Sequence, residues 1–165
     1  MDEHTRTELQ FLSRWYALVR SSTLRLLHEM EDEELAWQPS AAGRSSGSIL
    51  AHLAVSEELR IQRRLAGREM LPEAMVRAYQ SCALHAKHRA GAPAKQELEL
   101  LLKKLKTATL RFVRGLVFGR RSSHAPDVVD QLEWLIFHEN QHLGQVRYLR
   151  ALRSRSGRRS RRRQA

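Results

Sequence analysis

Long hydrophobic runs are missing from this 165-residue chain. The longest uninterrupted apolar stretches, such as residues 134–137, span only a few positions, whereas a membrane helix needs roughly 20. Residues 1–4 (MDEH) provide neither a basic start nor an apolar segment, so we expect no signal peptide. Cys82 is the only cysteine, which excludes an intramolecular disulfide. These absences together predict a cytoplasmic protein that does not enter the membrane.

Strand-like patterns and phosphate-binding loops are also missing. No segment alternates apolar and polar residues in the manner typical of a β-strand, and no internal repeat is visible. A glycine-rich phosphate-binding loop is absent, which disfavours nucleotide chemistry. What the chain does contain is 42% hydrophobic and 28% charged residues, a composition typical of one globular domain at this length.

Apolar residues recur at three-to-four spacing in four long segments, which indicates four amphipathic helices. The segments span about residues 5–30, 48–66, 94–116 and 126–152, and a shorter helix is expected near residues 72–81. Helices of this kind bury their apolar stripes against one another, so we predict an all-α four-helix bundle. The connection between the second and third long helices is long enough to cross over along the bundle.

The net charge of +11 is concentrated at the C-terminal end of the chain. From residue 150 onward there are eight arginines and no acidic residue. We therefore predict a bundle domain over residues 1–152 and a disordered arginine-rich tail over residues 153–165. Such a tail is compatible with non-specific binding to nucleic-acid phosphates, or with a solvated segment that aids solubility.

Two histidines share one face of the fourth predicted helix. His138 and His142 lie four residues apart, and the same face carries the core candidates Leu135 and Leu149. Imidazoles directed into a core are costly unless their nitrogens find partners, and a divalent cation is one such partner. Hydrogen bonds to carbonyls or water would serve as well, so the pair alone leaves both interpretations open.

A third histidine favours the interpretation as a metal site. His52 lies on the inward stripe of the second long helix, between the apolar residues Ile49 and Leu53. Three imidazoles on facing stripes can meet at one point, and three protein ligands leave a coordination position open for a reactant. We therefore predict that His52, His138 and His142 hold one divalent ion, such as zinc, nickel or iron.

Other polar residues have weaker claims to a role in the site. Gln145 follows His142 by three residues and is a candidate for orienting a ligand or a bound water. Glu139 is either a partner of the metal ligands, a base, or a solvent-facing residue. We interpret Cys82 as a buried apolar residue rather than a nucleophile. The remaining histidines are interpreted as surface or locally hydrogen-bonded residues: His4, His28, His85, His88 and His124.

Three motifs together resemble those of the DinB/YfiT-like family of bacterial proteins. They are ELAWQP at residues 34–39, SILAHL at 48–53 and HENQHLGQ at 138–145. They match the family's leucine-to-proline, serine-isoleucine-to-histidine-leucine and His-x-x-x-His-x-Gly-Gln patterns in order and separation. The resemblance covers about residues 5–152. It implies a metal-binding four-helix bundle, often a homodimer, with the metal held at the positions of His52, His138 and His142.

The resemblance also implies candidate functions. Several related proteins are transferases or isomerases that use a low-molecular-weight thiol such as bacillithiol, mycothiol or glutathione. Our leading hypothesis is therefore a thiol S-transferase acting on small electrophiles, with the metal holding the thiol as a thiolate. One alternative is a metal-dependent hydrolase. Another is a non-catalytic dimeric bundle whose tail binds nucleic acid, with Trp134 packing either against the partner or over its own core.

Overall fold

The structure, a computed structural model, describes residues 1–40, 43–80, 92–119 and 125–162. All regular elements within these ranges are helical. The α-helices are α1 (Glu3–His28), α2 (Asp32–Ala36), α3 (Ser46–Glu57), α4 (Glu73–Tyr79), α5 (Lys95–Val117) and α6 (Ala125–Arg162). Helix α3 continues directly into a π-helical segment, Glu58–Arg63. In this part of the chain no helix has the length and hydropathy that a membrane crossing requires.

The four long helices α1, α3, α5 and α6 form the predicted bundle. Both α1 and α3 pack against α5 and α6. Two ion pairs, Arg20 with Glu139 and Arg150 with Glu29, show that α1 and α6 run parallel. A residue of α1 is therefore level with the residue about 120 positions later in α6.

Helices α3 and α5 run in the opposite direction to α1 and α6. His52 of α3 contacts His138, and Arg60, further along, bonds to Gln131, an earlier residue of α6. The amide of Lys95, at the start of α5, donates to Asp32 just beyond the end of α1. The connection between α3 and α5 must therefore return along the bundle, which confirms the long link predicted between the second and third long helices.

Helix boundaries follow from local chemistry. The carboxylate of Asp2 accepts from the amide of Thr5 at 2.8 Å and caps α1. The hydroxyl of Ser45 accepts from the amide of Ser48 at 3.2 Å and caps α3. Gly67, shortly after the π-helical segment, has a φ of +63°, a conformation that favours glycine.

The last helix is longer than the sequence predicted. Helix α6 continues to Arg162, whereas we expected it to end near Leu152 and a disordered tail to begin at residue 153. Arginine is a good helix former, and no proline follows Pro126, so a helix anchored in the bundle propagates through these residues. The division at residue 152 and the binding of nucleic acid by this segment stay predictions.

A belt of buried polar groups crosses the bundle between two apolar clusters. Arg20 is 1% exposed and pairs with two buried carboxylates, Glu57 and Glu139, each at 2.8 Å. The hydroxyls of Tyr16 and Thr23 donate to Glu57 and Glu139 respectively. Burial raises the pKa of Tyr16, so its hydroxyl stays a protonated donor. The belt satisfies charges that would otherwise be costly inside a bundle.

Candidate metal centre

The structure brings the three predicted histidines together between α3 and α6. The Nε2 atom of His138 lies 3.3 Å from Nε2 of His52 and 3.0 Å from Nε2 of His142. One nitrogen from each ring lies within 4.8 Å of the other two. His52 and His142 are buried, and His138 is partly buried. Because α3 and α6 are antiparallel neighbours, their inward stripes meet at this level of the bundle.

Two of the rings are held in one tautomer by hydrogen bonds from Nδ1, the ring nitrogen that faces away from the shared point. The Nδ1 atom of His52 lies 2.7 Å from the carbonyl oxygen of Tyr79. A carbonyl only accepts, so Nδ1 carries the hydrogen and Nε2 turns a lone pair inward. Nδ1 of His142 likewise donates to Oε1 of Gln145 at 2.7 Å. Outer partners of this kind orient the rings of metal-ligating histidines.

The third ring is held by stacking. Trp134 stacks on His138 with ring centroids 4.1 Å apart and planes 21° apart. The guanidinium of Arg60 lies 3.5 Å from the centroid of the Trp134 ring, and its Nη1 donates to Gln131. Nδ1 of His138 has no hydrogen-bond partner among the described residues. The stack of Arg60, Trp134 and His138 therefore fixes the plane of this imidazole.

The inward nitrogens fit a cation better than they fit one another. His52 and His142 both direct a lone pair toward Nε2 of His138, and a single hydrogen there satisfies only one of them well. Bonds of about 2.0–2.1 Å from a tetrahedral zinc place ligand nitrogens roughly 3.3–3.4 Å apart. The two observed separations from His138, 3.3 and 3.0 Å, lie close to this spacing.

The electrostatics of the site keep all three imidazoles neutral. Burial lowers the pKa of His52 to about 4 and that of His138 to about 3. The charge of Arg60 contributes to the low pKa of His138. Burial also lowers the pKa of His142, although the hydrogen bond to Gln145 opposes the effect. Neutral imidazole is the form that ligates a metal, so protons do not compete for these nitrogens near pH 7.

The site lies close to the surface of the bundle. His138 is only partly buried, and Gln145 beside His142 is exposed. The hydroxyl of Ser56 lies 3.4 Å from Nε2 of His52. Among the described residues, no carboxylate or thiolate joins the three rings as a further metal ligand. Three protein ligands leave one position of a tetrahedral site for an external fourth ligand.

The other residues singled out from the sequence lie away from the three histidines or outside the described part of the chain, except Gln145. Glu139 does not face solvent: it is 1% exposed and bonds to Arg20 and Thr23, away from the histidines. Both His4 and His28 are exposed, as expected. Four residues lie outside the described part of the chain: Cys82, His85, His88 and His124.

The roles of Arg60, Trp134 and Tyr79 were not predicted. Trp134 precedes His138 by four residues, so helical spacing alone indicates that the two rings are neighbours. Of the two positions considered for Trp134, against a partner or over its own core, the structure bears out the second, because Trp134 packs against an apolar core cluster. It also stacks on His138, which was not expected. No sequence signal points to the Tyr79 carbonyl, because every residue offers a carbonyl group.

Fold and site together define a class: an all-helical bundle with three convergent histidines suited to one divalent metal ion. The family model of the DinB superfamily matches residues 16–146, a stretch that includes all three histidines. The chain therefore belongs to the DinB superfamily, in agreement with the resemblance found in its motifs. No curated protein gives a significant match.

Proposed function

We propose that this protein is a metal-dependent S-transferase that joins a low-molecular-weight thiol to a small electrophile. The observation that carries the proposal is the set of three neutral imidazoles with their Nε2 atoms turned to one point. The Nδ1 atoms of His52 and His142 are already hydrogen-bonded, to the carbonyl oxygen of Tyr79 and to the side chain of Gln145 respectively. A divalent cation held by these nitrogens would lower the pKa of an incoming thiol, so that a thiolate is present near pH 7.

The charge of the site supports an anionic reactant. The three histidines are neutral, and they contribute nothing to balance a divalent ion. Arg60 adds a further positive charge near the site, because its guanidinium lies on the Trp134 ring that stacks on His138. Glu139, the nearest acidic residue in sequence, is paired with Arg20. A thiolate, above all one that also bears a carboxylate, complements this charge better than a neutral or cationic thiol does.

The proposed reaction is a substitution that balances without a redox partner. The sulfur forms a bond to the electrophilic carbon, the leaving group departs with its bonding electron pair, and the thiol proton passes to solvent. The protein residues orient the reactants. Arg60 attracts the carboxylate of the thiol, while the hydrogen bonds of His52 and His142 keep the imidazole planes fixed.

Cobalt(II) provides a direct test, because its visible spectrum reports both the number of ligands and a bound thiolate. We expect one equivalent of cobalt to bind, and mercaptoacetate to produce a sulfur-to-cobalt charge-transfer band at lower concentration than cysteamine does. An Arg60→Gln variant should lose that preference, and Arg64→Gln, an exposed neighbour, should keep it. Absence of stoichiometric cobalt binding would overturn the proposal.

Turnover is then measured with the metal-loaded protein. Bacillithiol, mycothiol and glutathione are offered together with an activated aryl chloride, and product is expected only with metal and thiol both present. A nitrophenyl ester offered without thiol tests the alternative, in which water takes the place of the thiol. If the protein hydrolyses the ester and catalyses no S-transfer, the proposed function is wrong and the protein is a metal-dependent hydrolase. The proposal takes the cytoplasm as the place of action, since thiols are kept reduced there.

A further inference from the structure

A cavity of about 740 Å³ lies between α5 and the segment 68–70, which follows the π-helical segment Glu58–Arg63. A volume of this size is typical of sites that bind small molecules. None of the residues that line the cavity belongs to the three-histidine centre between α3 and α6. We call this cavity the α5 groove, and it is a second candidate site in the described part of the chain.

Positive charge dominates the α5 groove. Four of its lining residues are cationic and one is acidic: Arg68, Lys103, Lys104 and Arg111 against Glu69. All five side chains are exposed. Lys103 pairs with Glu99 of the same helix at 3.0 Å. Within the described ranges no ion pair involves Arg68, Lys104 or Arg111, so these three charges are available to a ligand.

The arrangement of these three cations does not stabilise the fold. Lys104 and Arg111 are seven residues apart, which places them two turns apart on one face of α5. Arg68 lies on the opposite wall of the same cavity. Like charges that share a helical face and a groove repel one another. An anion bound between the two walls would convert this repulsion into attraction.

Gln62, a fully buried residue of the π-helical segment, holds both walls of the α5 groove. Its carbonyl oxygen accepts from the amide of Arg68 at 2.8 Å, and its side-chain amide donates to Oγ1 of Thr109 in α5 at 2.8 Å. The buried carboxylate of Glu58 accepts from the amide of Met70 at 2.8 Å. Departures from α-helical geometry of this kind occur frequently at functional sites. Here the π-helical segment fixes the walls in advance, so a ligand would have little of the backbone to order.

We propose that the α5 groove binds a small organic phosphate ester. A guanidinium forms two parallel hydrogen bonds to phosphate oxygens, and Arg68 and Arg111 offer this geometry from opposite walls. The ammonium of Lys104 adds a third positive charge for the phosphate dianion. Met70 and Ala108 contribute apolar surface beside these cations, which suits the carbon part of an ester. This site is independent of the S-transferase chemistry proposed for the metal centre.

Phenyl phosphate is the probe for this proposal, because it joins a phosphate to an apolar ring. Amide chemical shifts are followed by nuclear magnetic resonance, with a chelator present to keep metal out of the histidine site. We expect saturable changes at residues 68–70 and 104–111, and weaker binding of inorganic phosphate, which lacks the ring. No saturable change up to about 10 mM phenyl phosphate would overturn the proposal, since even a weak specific site is then filled. Saturable changes confined to other residues would overturn it as well.

Removal of single charges shows whether the groove itself recognises the phosphate. Arg68→Gln and Arg111→Gln should each weaken phenyl phosphate binding by about tenfold or more, the effect of losing one charged hydrogen-bond donor. Both side chains are exposed, so the variants should keep the fold. Arg14→Gln, at an exposed position of α1, changes the net charge equally and should bind as the wild type does. Equal losses in all three variants would mean that net charge alone attracts the anion, and the proposed site would be wrong.

Two larger phosphate compounds distinguish a small ester from other sources of phosphate. Single-stranded oligothymidylate presents a nucleic-acid backbone, and vesicles that contain phosphatidic acid present a lipid headgroup. At equal phosphate concentration we expect neither to displace phenyl phosphate from the α5 groove. Displacement by one of them, with the competing affinity lost in Arg68→Gln, would assign the groove to a nucleic acid or to a membrane surface and overturn the proposal of a small ester.

Discussion

Nε of Arg20 lies 2.8 Å from Oε1 of Glu139, although the two residues are 119 positions apart in the sequence. Both side chains are almost completely buried. This contact fixes the register of α1 against α6 along the bundle axis. It also turns the carboxylate of Glu139 away from the adjacent His138. A residue that the sequence offered as a candidate base therefore serves the bundle instead.

Replacement of Arg20 by methionine should destabilise the fold strongly. The substitution leaves the buried carboxylates of Glu57 and Glu139 without their shared cation. Breaking a buried pair in this way costs about 3–5 kcal/mol of the free energy of unfolding. Urea denaturation measures the loss, with Arg14→Met, an exposed position of the same helix, as the control. A loss below about 1 kcal/mol, as for a surface salt bridge, would contradict the expectation.

Replacement of His138 by alanine should abolish stoichiometric metal binding. Two imidazoles remain in the variant, too few for a stable site of the three-ligand kind. Elemental analysis after dialysis is expected to show about one ion per chain in the wild type and background levels in the variant. His4→Ala, which alters an exposed histidine at the N-terminus, should retain the ion. Stoichiometric metal in the His138→Ala protein would remove that residue from the site.

Replacement of Gln145 by alanine should weaken metal binding without unfolding the protein. The amide oxygen accepts from Nδ1 of His142 at 2.7 Å and fixes that ring. Loss of such an outer partner lowers metal affinity by about 10–100-fold. Competition with a chelator measures the affinity, and Gln10→Ala, exposed on α1, is the control. An affinity unchanged from the wild type would show that His142 needs no such support.

The helices and the triad could be predicted because both depend on local patterns. Apolar residues at helical spacing define each long helix, and an imidazole on an apolar stripe is visible without any coordinates. His52, His138 and His142 lie on such stripes, and packing two helices face to face brings them together. The long link between α3 and α5 was likewise a matter of counting residues.

The buried polar belt could not be predicted from the sequence, for a physical reason. An arginine within an amphipathic helix is ordinarily a surface residue, and Arg20 is buried only because Glu57 and Glu139 arrive from two other helices. The support of His138 by Trp134 and Arg60 depends on side-chain geometry across α3 and α6 in the same way. Helix α6 exceeded its predicted length because a packed helix propagates into residues that would not nucleate one.

Trp134 should report metal binding through its fluorescence. Its ring lies 4.1 Å from the His138 ring, so an open-shell ion such as nickel or copper bound at the triad quenches this indole by contact-range electron or energy transfer. Titration of the wild type should remove most of the Trp134 emission and saturate at about one equivalent, the capacity of a single three-histidine site.

Trp134→Phe keeps an aromatic ring against His138 but removes the fluorophore, so the remaining emission should respond little to the ion. Trp15→Phe, which alters an exposed indole of α1, should preserve the quenching. Equal fractional quenching in the Trp134→Phe protein would mean that the ion binds elsewhere, and the triad would lose its role as the metal site.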